Sequence, residues 1–403
     1  MSDAPSTQET SIDATGLELS VVMPCLNEAD TLEACITKAR QCMDSQGIAG
    51  EIIVADNGSI DNSVEIAERC GAVVVVAERR GYGSALMAGI EVAGGKFIIM
   101  GDADDSYDFG QLGPFVEKLR QGSDLVMGCR MPSGGGTIEP GAMPFLHRHV
   151  GNPVFTRLAR RWFSAPIHDI NCGLRGFTRE LYDEMAMVCT GMEFANELVI
   201  KACLHKKKVD EVPVTLHRDG RVSHPPHLRT FRDGLRTLGF FLLCSPRWVF
   251  LVPGLVLMAI GVISFALIIP GPFRIGKAME LDIQSLLVGG IGCIVGYQFV
   301  IFAVFTKLLA MAKGLVPPHT ALVRLHRYIT VQTGVIAGVA MTFAGVLLVV
   351  GAIVVWGVRH SFGPLNPLSF MRVTIPGGIL LAVGVQTIFA SVFMSLLGLE
   401  RKS

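Results

Sequence analysis

At 403 residues the chain is long enough for two or three domains, and its 35 Lys and Arg against 35 Asp and Glu leave a formal net charge of zero. With no global basic field, nucleic acid drops out as a partner. Half of the residues are apolar, but the long apolar runs lie after residue 238 and the carboxylates concentrate before it, so the composition reads as a water-facing domain joined to a membrane domain.

Residues 1–17 are rich in Ser, Thr and Asp, with no basic start and no apolar core. They read as a disordered tail rather than a signal peptide, which places the following domain in the cytoplasm. The ten cysteines form no CxxC pair and no zinc spacing, so they are expected as free thiols in a reducing compartment. Short apolar runs then follow at 19–24, 51–56, 72–77, 96–102 and 123–128, the first stopped by Pro24 and the second by the turn Asn57-Gly58-Ser59. Helical patterns separate them at 30–43, 63–70 and 84–93. Strands alternating with helices predict an α/β fold, a Rossmann-like, mostly parallel sheet flanked by helices, spanning residues 18–225. Ligands of such sheets sit beyond the carboxyl ends of the strands. Asn27 and Glu28 follow the first strand, Asp56 the second, and Asp102 and Asp104 the fourth.

No GxGxxG follows the first strand and no GxxxxGK[ST] occurs. Gly81-Tyr82-Gly83 opens a helix, where it either lets backbone approach a diphosphate or makes a tight turn. Asp102-Ala103-Asp104 carries more chemistry. On extended backbone both carboxylates point the same way, and two carboxylates at a strand end suit a hard cation that also bridges two phosphates. The bland alternative is an Asp-rich turn that caps a helix.

Residues 226–247 follow as a linker. Arginines at three- and four-residue spacing with Leu and Phe between them predict a helix lying at the headgroup level. Residues 248–403 hold four uncharged or nearly uncharged stretches, at 248–269, 283–305, 333–356 and 374–397, each long enough to span a bilayer. Arg229, Arg232, Arg236 and Arg247 before the first span, Lys307, Lys313, Arg324 and Arg327 after the second, and Arg401 and Lys402 at the end favour both termini inside. The expected location is the inner or plasma membrane, multi-pass, with the first domain on the cytoplasmic face.

Together these pieces resemble family 2 glycosyltransferases of the GT-A fold, and within them the polyprenyl-phosphate or dolichyl-phosphate hexose synthases. The run from Val21 to Glu28 resembles the family's opening strand and P-x-x-N-E turn. Asp56-Asn57-Gly58-Ser59 is similar to its D-D-G-S turn, with Asn57 departing from the second Asp. Arg80 to Ala85 resembles its N-x-G-x-G-x-A loop, Met100 to Asp104 its M-D-A-D, Gly128-Cys129-Arg130 its G-S-R, and Asp169 to Arg175 its D-x-T-S-G-F-R. The likeness covers about residues 19–225.

The resemblance implies a role for each matched position. Pro24, Asn27, Glu28, Asp56, Gly81, Gly83, Asp102 and Ala103 would line the donor site. Asp102 and Asp104 would hold Mg²⁺ or Mn²⁺, and Asp104, Arg130 and Asp169 would serve catalysis. Arg130, Arg148, Arg175 and Arg221 would meet the acceptor phosphate, with Asp169 either orienting Arg175 or bracing its loop. Relatives often place a Gln, as a further metal ligand, where Ser106 stands here. The implied partners are a nucleotide sugar, a polyprenyl phosphate and the bilayer, and homo-oligomerisation is left open. The implied reaction is a metal-dependent, inverting transfer of a hexose. A phosphate acceptor is already deprotonated, so Glu193 and Glu197 are expected in a structural or acceptor-orienting role rather than as a base. Two rivals compete: a processive polysaccharide synthase, whose Q-x-x-R-W is matched only by Cys244 to Trp248 without its Gln, and a lipid-transport scaffold with an inactive transferase domain.

Overall fold

The computed structural model describes residues 16–222, 230–276, 279–317 and 331–399. Most of the expected tail, the stretch His227-Leu228-Arg229 and the basic residues Arg324, Arg327, Arg401 and Lys402 lie outside the described residues. The chain divides into two compact units, Met1–Phe240 and Phe241–Ser403.

In the first unit, β1 (Leu19–Cys25) lies between β2 (Gly50–Asp56) and β4 (Phe97–Met100), with β3 (Val73–Val76) at the edge beyond β2. These four are parallel, and α1 (Leu32–Gln46), α2 (Ser63–Arg69) and α3 (Tyr82–Val92) are the crossovers between them. The far side adds β5 (Leu125–Cys129), reached through α4 (Gly113–Arg120), and two later strands. A separate two-stranded parallel sheet pairs β6 (Thr137–Ile138) with β9 (Thr215–Leu216), Thr137 opposite Thr215 and Ile138 opposite Leu216. After α5 (Asn152–Phe163) the chain returns as β7 (Arg175–Thr178), antiparallel between β4 and β5. Then α6 (Arg179–Met185) and α7 (Glu193–Leu204) lead to β8 (Val209–Pro213), parallel to β5.

Val21, Val22 and Met23 are fully buried because helices cover both sheet faces, which is why β1 reads as a continuous apolar run rather than an alternating one. On one face Val21 and Met23 pack with Val54, Ile99, Phe109 and Phe115, and on the other Val22 lies against Gly89 of α3. Each such side chain contributes about 1.5–3 kcal/mol by leaving water. Pro24 does not end β1, as the sequence suggests. It pairs with Ala55 of β2 but lies beyond the last β4 partner, Val22 opposite Met100, so its missing N–H costs no ladder bond there.

The boundary between the units falls within α8 (Thr230–Cys244). The second unit contains α9 (Val252–Ile268), the hairpin β10 (Phe273–Ile275) and β11 (Met279–Leu281), and three long helices. These are α10 (Ile283–Ala312), α11 (Val331–His360) and α12 (Pro367–Leu399). Four segments are long and apolar enough to cross a bilayer: Arg247–Ile268, Ile283–Ala312, Val331–His360 and Pro367–Ser395. The last three are helical beyond the stretches read from hydropathy, because charges at helix ends do not interrupt the helix. Arg372 lies inside α12 and pairs with Asp282 at 2.6 Å. Helix contacts are made through glycine. A Cβ on Gly254 would lie 2.7 Å from Gly296 O, and one on Gly338 2.7 Å from Gly384 O.

Candidate active site

The Asp triplet leaves the end of β4 with alternating exposure. Asp102 and Asp104 are half-buried, while Ala103 between them is 1% exposed and packs into the core. The two carboxylates therefore share the solvent side of the strand end, and Ala103 offers a donor no side chain. Its carbonyl is also taken, accepting from Thr31 Oγ1 at 2.7 Å. Tyr82, at the start of α3, donates its hydroxyl to Asp102 Oδ1 at 2.9 Å. Burial, with the Asp104 charge beside it, pushes the Asp102 carboxyl up to about 6, against the pull of Tyr82, Arg175 and Arg221.

Asp104 is engaged on both oxygens. Ser106 donates its hydroxyl at 2.6 Å and its N–H at 3.1 Å to Oδ1, and Arg221 Nη2 reaches Oδ2 at 3.2 Å. Ser106 thus orients the carboxylate rather than extending the ligand set. Arg221, 7% exposed, also pairs with Glu28 Oε1 at 3.0 Å and Asp219 Oδ2 at 2.6 Å. Burial opposes its charge, but these three carboxylates hold its proton more firmly than usual. The acceptor-phosphate role expected of Arg221 meets a guanidinium already committed to carboxylates.

A second buried pair lies at the end of β5. Arg130 Nε meets Asp169 Oδ2 at 2.7 Å, and Nη2 meets Oδ1 at 2.9 Å, a two-pronged contact. Asp169 is fully buried and also accepts from Asn152 Nδ2 at 2.8 Å and from the Arg130 N–H at 3.1 Å. Burial alone would raise its carboxyl, but the Arg130 charge outweighs that and holds it below the usual range. Arg130 Nη1 meets Tyr107 Oη at 3.2 Å, and Tyr107 Oη accepts from Gly173 N at 2.8 Å.

Asp169 therefore orients Arg130, not Arg175. Arg175 is 1% exposed in β7 and donates to the carbonyls of Cys172 at 2.7 Å, Ile170 at 3.0 Å and Ala195. With its guanidinium spent on backbone, it has no face for an acceptor phosphate. It acts on the site at a distance, as one of the charges that lower the Asp102 carboxyl. Arg148 lies instead on a half-buried turn of wide helix at His147–Gly151, apart from these networks.

The donor-side residues are ordered by their turns. Asp56 accepts from Gly58 N at 3.1 Å and Ser59 N at 3.1 Å, closing the turn after β2. Asn27 has φ 60°, in the left-handed region that Asn tolerates, and its Oδ1 accepts from Ile60 N at 2.8 Å. Pro24 is half-buried beside them. Gly83 is glycine for packing: a Cβ there would lie 2.5 Å from Cys189 O and 2.9 Å from Gly191 O. Gly81, at φ 143°, would meet Thr190 O at 2.4 Å. The segment they abut is held by Glu197, fully buried, which accepts from Cys189 N at 2.7 Å and pairs with Lys201 at 2.6 Å. Glu197 thereby braces that segment.

Tyr82, Tyr107, Asn152, Asp219 and Lys201 escaped the sequence reading. Only Tyr82 carried a signal, its place between two glycines ahead of a helix.

Among the described residues no three His, Cys, Asp or Glu side chains cluster as a closed metal cage. Two carboxylates are what a cation shared with substrate phosphates needs from the protein. The raised Asp102 carboxyl, caused in part by Asp104, shows a repulsion that such a cation would relieve, so the residues fit the group.

Residues 20–186 match the family model described as glycosyl transferase family 2, and residues 304–398 match the family 2 C-terminal transmembrane region. The low-salt glycan biosynthesis hexosyltransferase Agl6 of Haloferax volcanii is 33% identical over 94% of this chain and 89% of that one. A dolichyl-phosphate hexose transferase of the same organism is 32% identical over 49% of this chain and 82% of its own length. The undecaprenyl-phosphate 4-deoxy-4-formamido-L-arabinose transferase of Salmonella paratyphi B is 28% identical over 49% and 59% respectively. A mostly parallel sheet flanked by helices is the fold of the GT-A type. The chain belongs to glycosyltransferase family 2, with that family's C-terminal membrane region.

Proposed function

We propose that this chain transfers a hexose from a nucleoside diphosphate sugar to a polyprenyl phosphate, of undecaprenyl or dolichyl type, at the cytoplasmic membrane face. The observation that carries this reading is the Asp102 and Asp104 pair at the end of β4. The similarity to a dolichyl-phosphate hexose transferase and an undecaprenyl-phosphate arabinose-derivative transferase supports the acceptor class. The hydropathy-derived domain bounds and the inside position of both termini belong to the same proposal.

Asp102 and Asp104 would hold Mg²⁺ or Mn²⁺, which when bound offsets the negative charge that grows on a departing nucleoside diphosphate. Tyr82 and Ser106 fix the orientation of the two carboxylates, so little reorganisation accompanies transfer. Asn27, Glu28 and Asp56 form the turn against which the nucleoside would rest. Arg130, aimed by Asp169, and Arg148 would receive the acceptor phosphate. An oxygen of that phosphate attacks the anomeric carbon as the bond to the nucleoside diphosphate breaks on the opposite side, which inverts the centre. The nucleophile arrives deprotonated, so catalysis rests on positioning and charge rather than on a base.

The test is to incubate membranes containing the protein with labelled UDP-glucose, UDP-galactose, UDP-N-acetylglucosamine or GDP-mannose and extract with organic solvent. An acid-labile monosaccharyl lipid is the expected product. Label in polymer, or none in lipid with any donor, overturns the reading.

A further inference from the structure

Glu211 stands in β8, the edge strand of the seven-stranded sheet, and reaches to the loop that carries Asp169. Its Oε1 accepts from the backbone N–H of His168 at 2.6 Å and from that of Asp169 at 3.2 Å. Its Oε2 lies 2.7 Å from His168 Nδ1, and since a carboxylate only accepts, the ring presents Nδ1–H there. The Glu211 side chain is 12% exposed, so these bonds are largely shielded from water. Hydrogen bonds to a carboxylate are about twice as strong as neutral ones, and three of them converge on one side chain.

The neighbouring strand carries the other half of the contact. Arg130 follows directly on β5, which pairs with β8 in the register Met127 opposite Glu211, Gly128 opposite Val212 and Cys129 opposite Pro213. The ladder fixes such strands about 4.8 Å apart. Arg130 is thus anchored to β5 by the chain itself, and Asp169 is anchored to β8 by Glu211. The two-pronged contact of Asp169 with Arg130 Nε and Nη2, and the bond from Arg130 N to Asp169 Oδ2, close the ring between the two strands. Cys129 reports how near Glu211 lies: burial, and after it the Glu211 charge, push the Cys129 thiol up to about 12. The turns at Asn27 and Asp56 are held by other bonds, to Ile60, Gly58 and Ser59.

We propose that Glu211 is a positioning residue for the acceptor phosphate: through the His168 and Asp169 N–H groups it sets where Asp169 holds the Arg130 guanidinium. This rests on the reading of Arg130 as a contact of that phosphate. A misplacement of about 1 Å costs about a hundred-fold in a reaction that depends on alignment. Asn152 still holds the Asp169 carboxylate from α5 at 2.8 Å, so loss of Glu211 loosens Asp169 without releasing it. The effect falls on the acceptor alone, because the donor-side turns do not lean on Glu211.

The test uses the full-length chain in membranes, with undecaprenyl phosphate as acceptor and whichever labelled nucleotide sugar yields lipid product. Glu211→Ala should raise the KM for undecaprenyl phosphate about ten-fold, while binding of the matching nucleoside diphosphate with Mn²⁺ stays within about two-fold of the parent. Glu211→Gln keeps Oε1 for both N–H groups and turns its amide N–H to the other tautomer of His168. Its KM should therefore return to within about two-fold of the parent. If Glu211→Ala does not fold, Glu211→Asp takes its place with the same expectation, being one methylene too short to span both N–H groups. An unchanged acceptor KM in that variant, an equal loss of nucleotide binding, or a Gln variant as impaired as Ala overturns the proposal. Each of these, with lipid product formed by the parent, leaves the transferase reading standing. A parent that forms no lipid product removes that reading, and this one with it.

Discussion

Arg130 and Asp169 stand 39 residues apart in sequence and meet in a two-pronged contact of 2.7 and 2.9 Å, with Asp169 wholly out of solvent. Removing one partner from such a pair leaves a buried charge uncompensated, at a cost of about 3–5 kcal/mol. Arg130→Met and Asp169→Leu should each lower the melting temperature sharply. The double variant should regain most of the loss, since apolar groups of similar size fill the space without a stranded charge. If Arg130 also meets the acceptor phosphate, the double variant stays inactive although stable. Thermal melting and the lipid-product assay, run on all three proteins, separate the two roles.

Tyr82 bears on metal binding. Its hydroxyl favours the ionised form of Asp102, whose carboxyl burial and Asp104 raise to about 6. A cation needs the deprotonated carboxylate, so protons compete with it below that value and cease to compete as pH rises past it. Calorimetric titration with Mn²⁺ should show affinity increasing from pH 5 toward neutrality, with proton release on binding near pH 6. Tyr82→Phe removes one charge-assisted hydrogen bond and should raise the Asp102 carboxyl further. The affinity at pH 6 should then drop roughly ten-fold, for a bond worth about 1.5 kcal/mol. An affinity flat across this range would remove Asp102 from the metal site.

Much of this was legible in the sequence, for reasons particular residues make plain. The four parallel strands β1 to β4 are apolar runs closed by turn residues, and their order along the chain fixes which loops reach one rim. Asp102 and Asp104 could be placed there because a strand end dictates where its next residues go. β7 stayed hidden because Arg175 and Gly176 in Arg-Gly-Phe-Thr read as a charged loop; only the fold reveals that the carbonyls of Cys172 and Ile170 accept the guanidinium. β8, with Asp210 and Glu211, hid likewise as a polar stretch. The partners of Arg130, Arg175 and Arg221 could not be read because they are set by tertiary contacts as far as 193 residues away, and periodicity says nothing of those.

Gly83 tests the packing of α3. A Cβ there has backbone carbonyl atoms of Cys189 and Gly191 within 2.5 and 2.9 Å, and the side chain of Phe194 at 2.8 Å. Neither carbonyl is the free end of a flexible group, so the helix start must move. Gly83→Ala should destabilise by about 1–3 kcal/mol and displace Tyr82 from Asp102. Thermal melting measures the first effect. A weakened Mn²⁺ titration, similar to that of Tyr82→Phe, reports the second.

Asp104→Ala should reduce transfer at least about a thousand-fold, since metal stabilisation of the leaving group supplies several kcal/mol. Asp104 faces solvent in part; its loss costs Ser106 the acceptor of two hydrogen bonds, while Arg221 keeps Glu28 and Asp219. Membrane insertion and the melting curve should therefore stay close to those of the parent. Residual transfer within ten-fold of the parent would sink the metal-assisted mechanism.

Arg221 gives the opposite signature. In the metal-free site it is the cation that neutralises Glu28, Asp104 and Asp219, at 3.0, 3.2 and 2.6 Å. Arg221→Ala leaves three carboxylates facing one another near Asp102, and the self-repulsion should destabilise the metal-free protein by about 3–5 kcal/mol. The same repulsion is what a divalent cation relieves. Added Mn²⁺ should therefore raise the melting temperature of Arg221→Ala by more than it raises that of the parent, because only the variant lacks an internal counter-charge. A parent-like melting temperature without metal would mean that Arg221 contributes little to the charge balance. A variant destabilised but not rescued by Mn²⁺ would mean that its carboxylates do not converge on the cation. Rescue of stability without rescue of transfer would assign Arg221 a further part in holding the substrate phosphates.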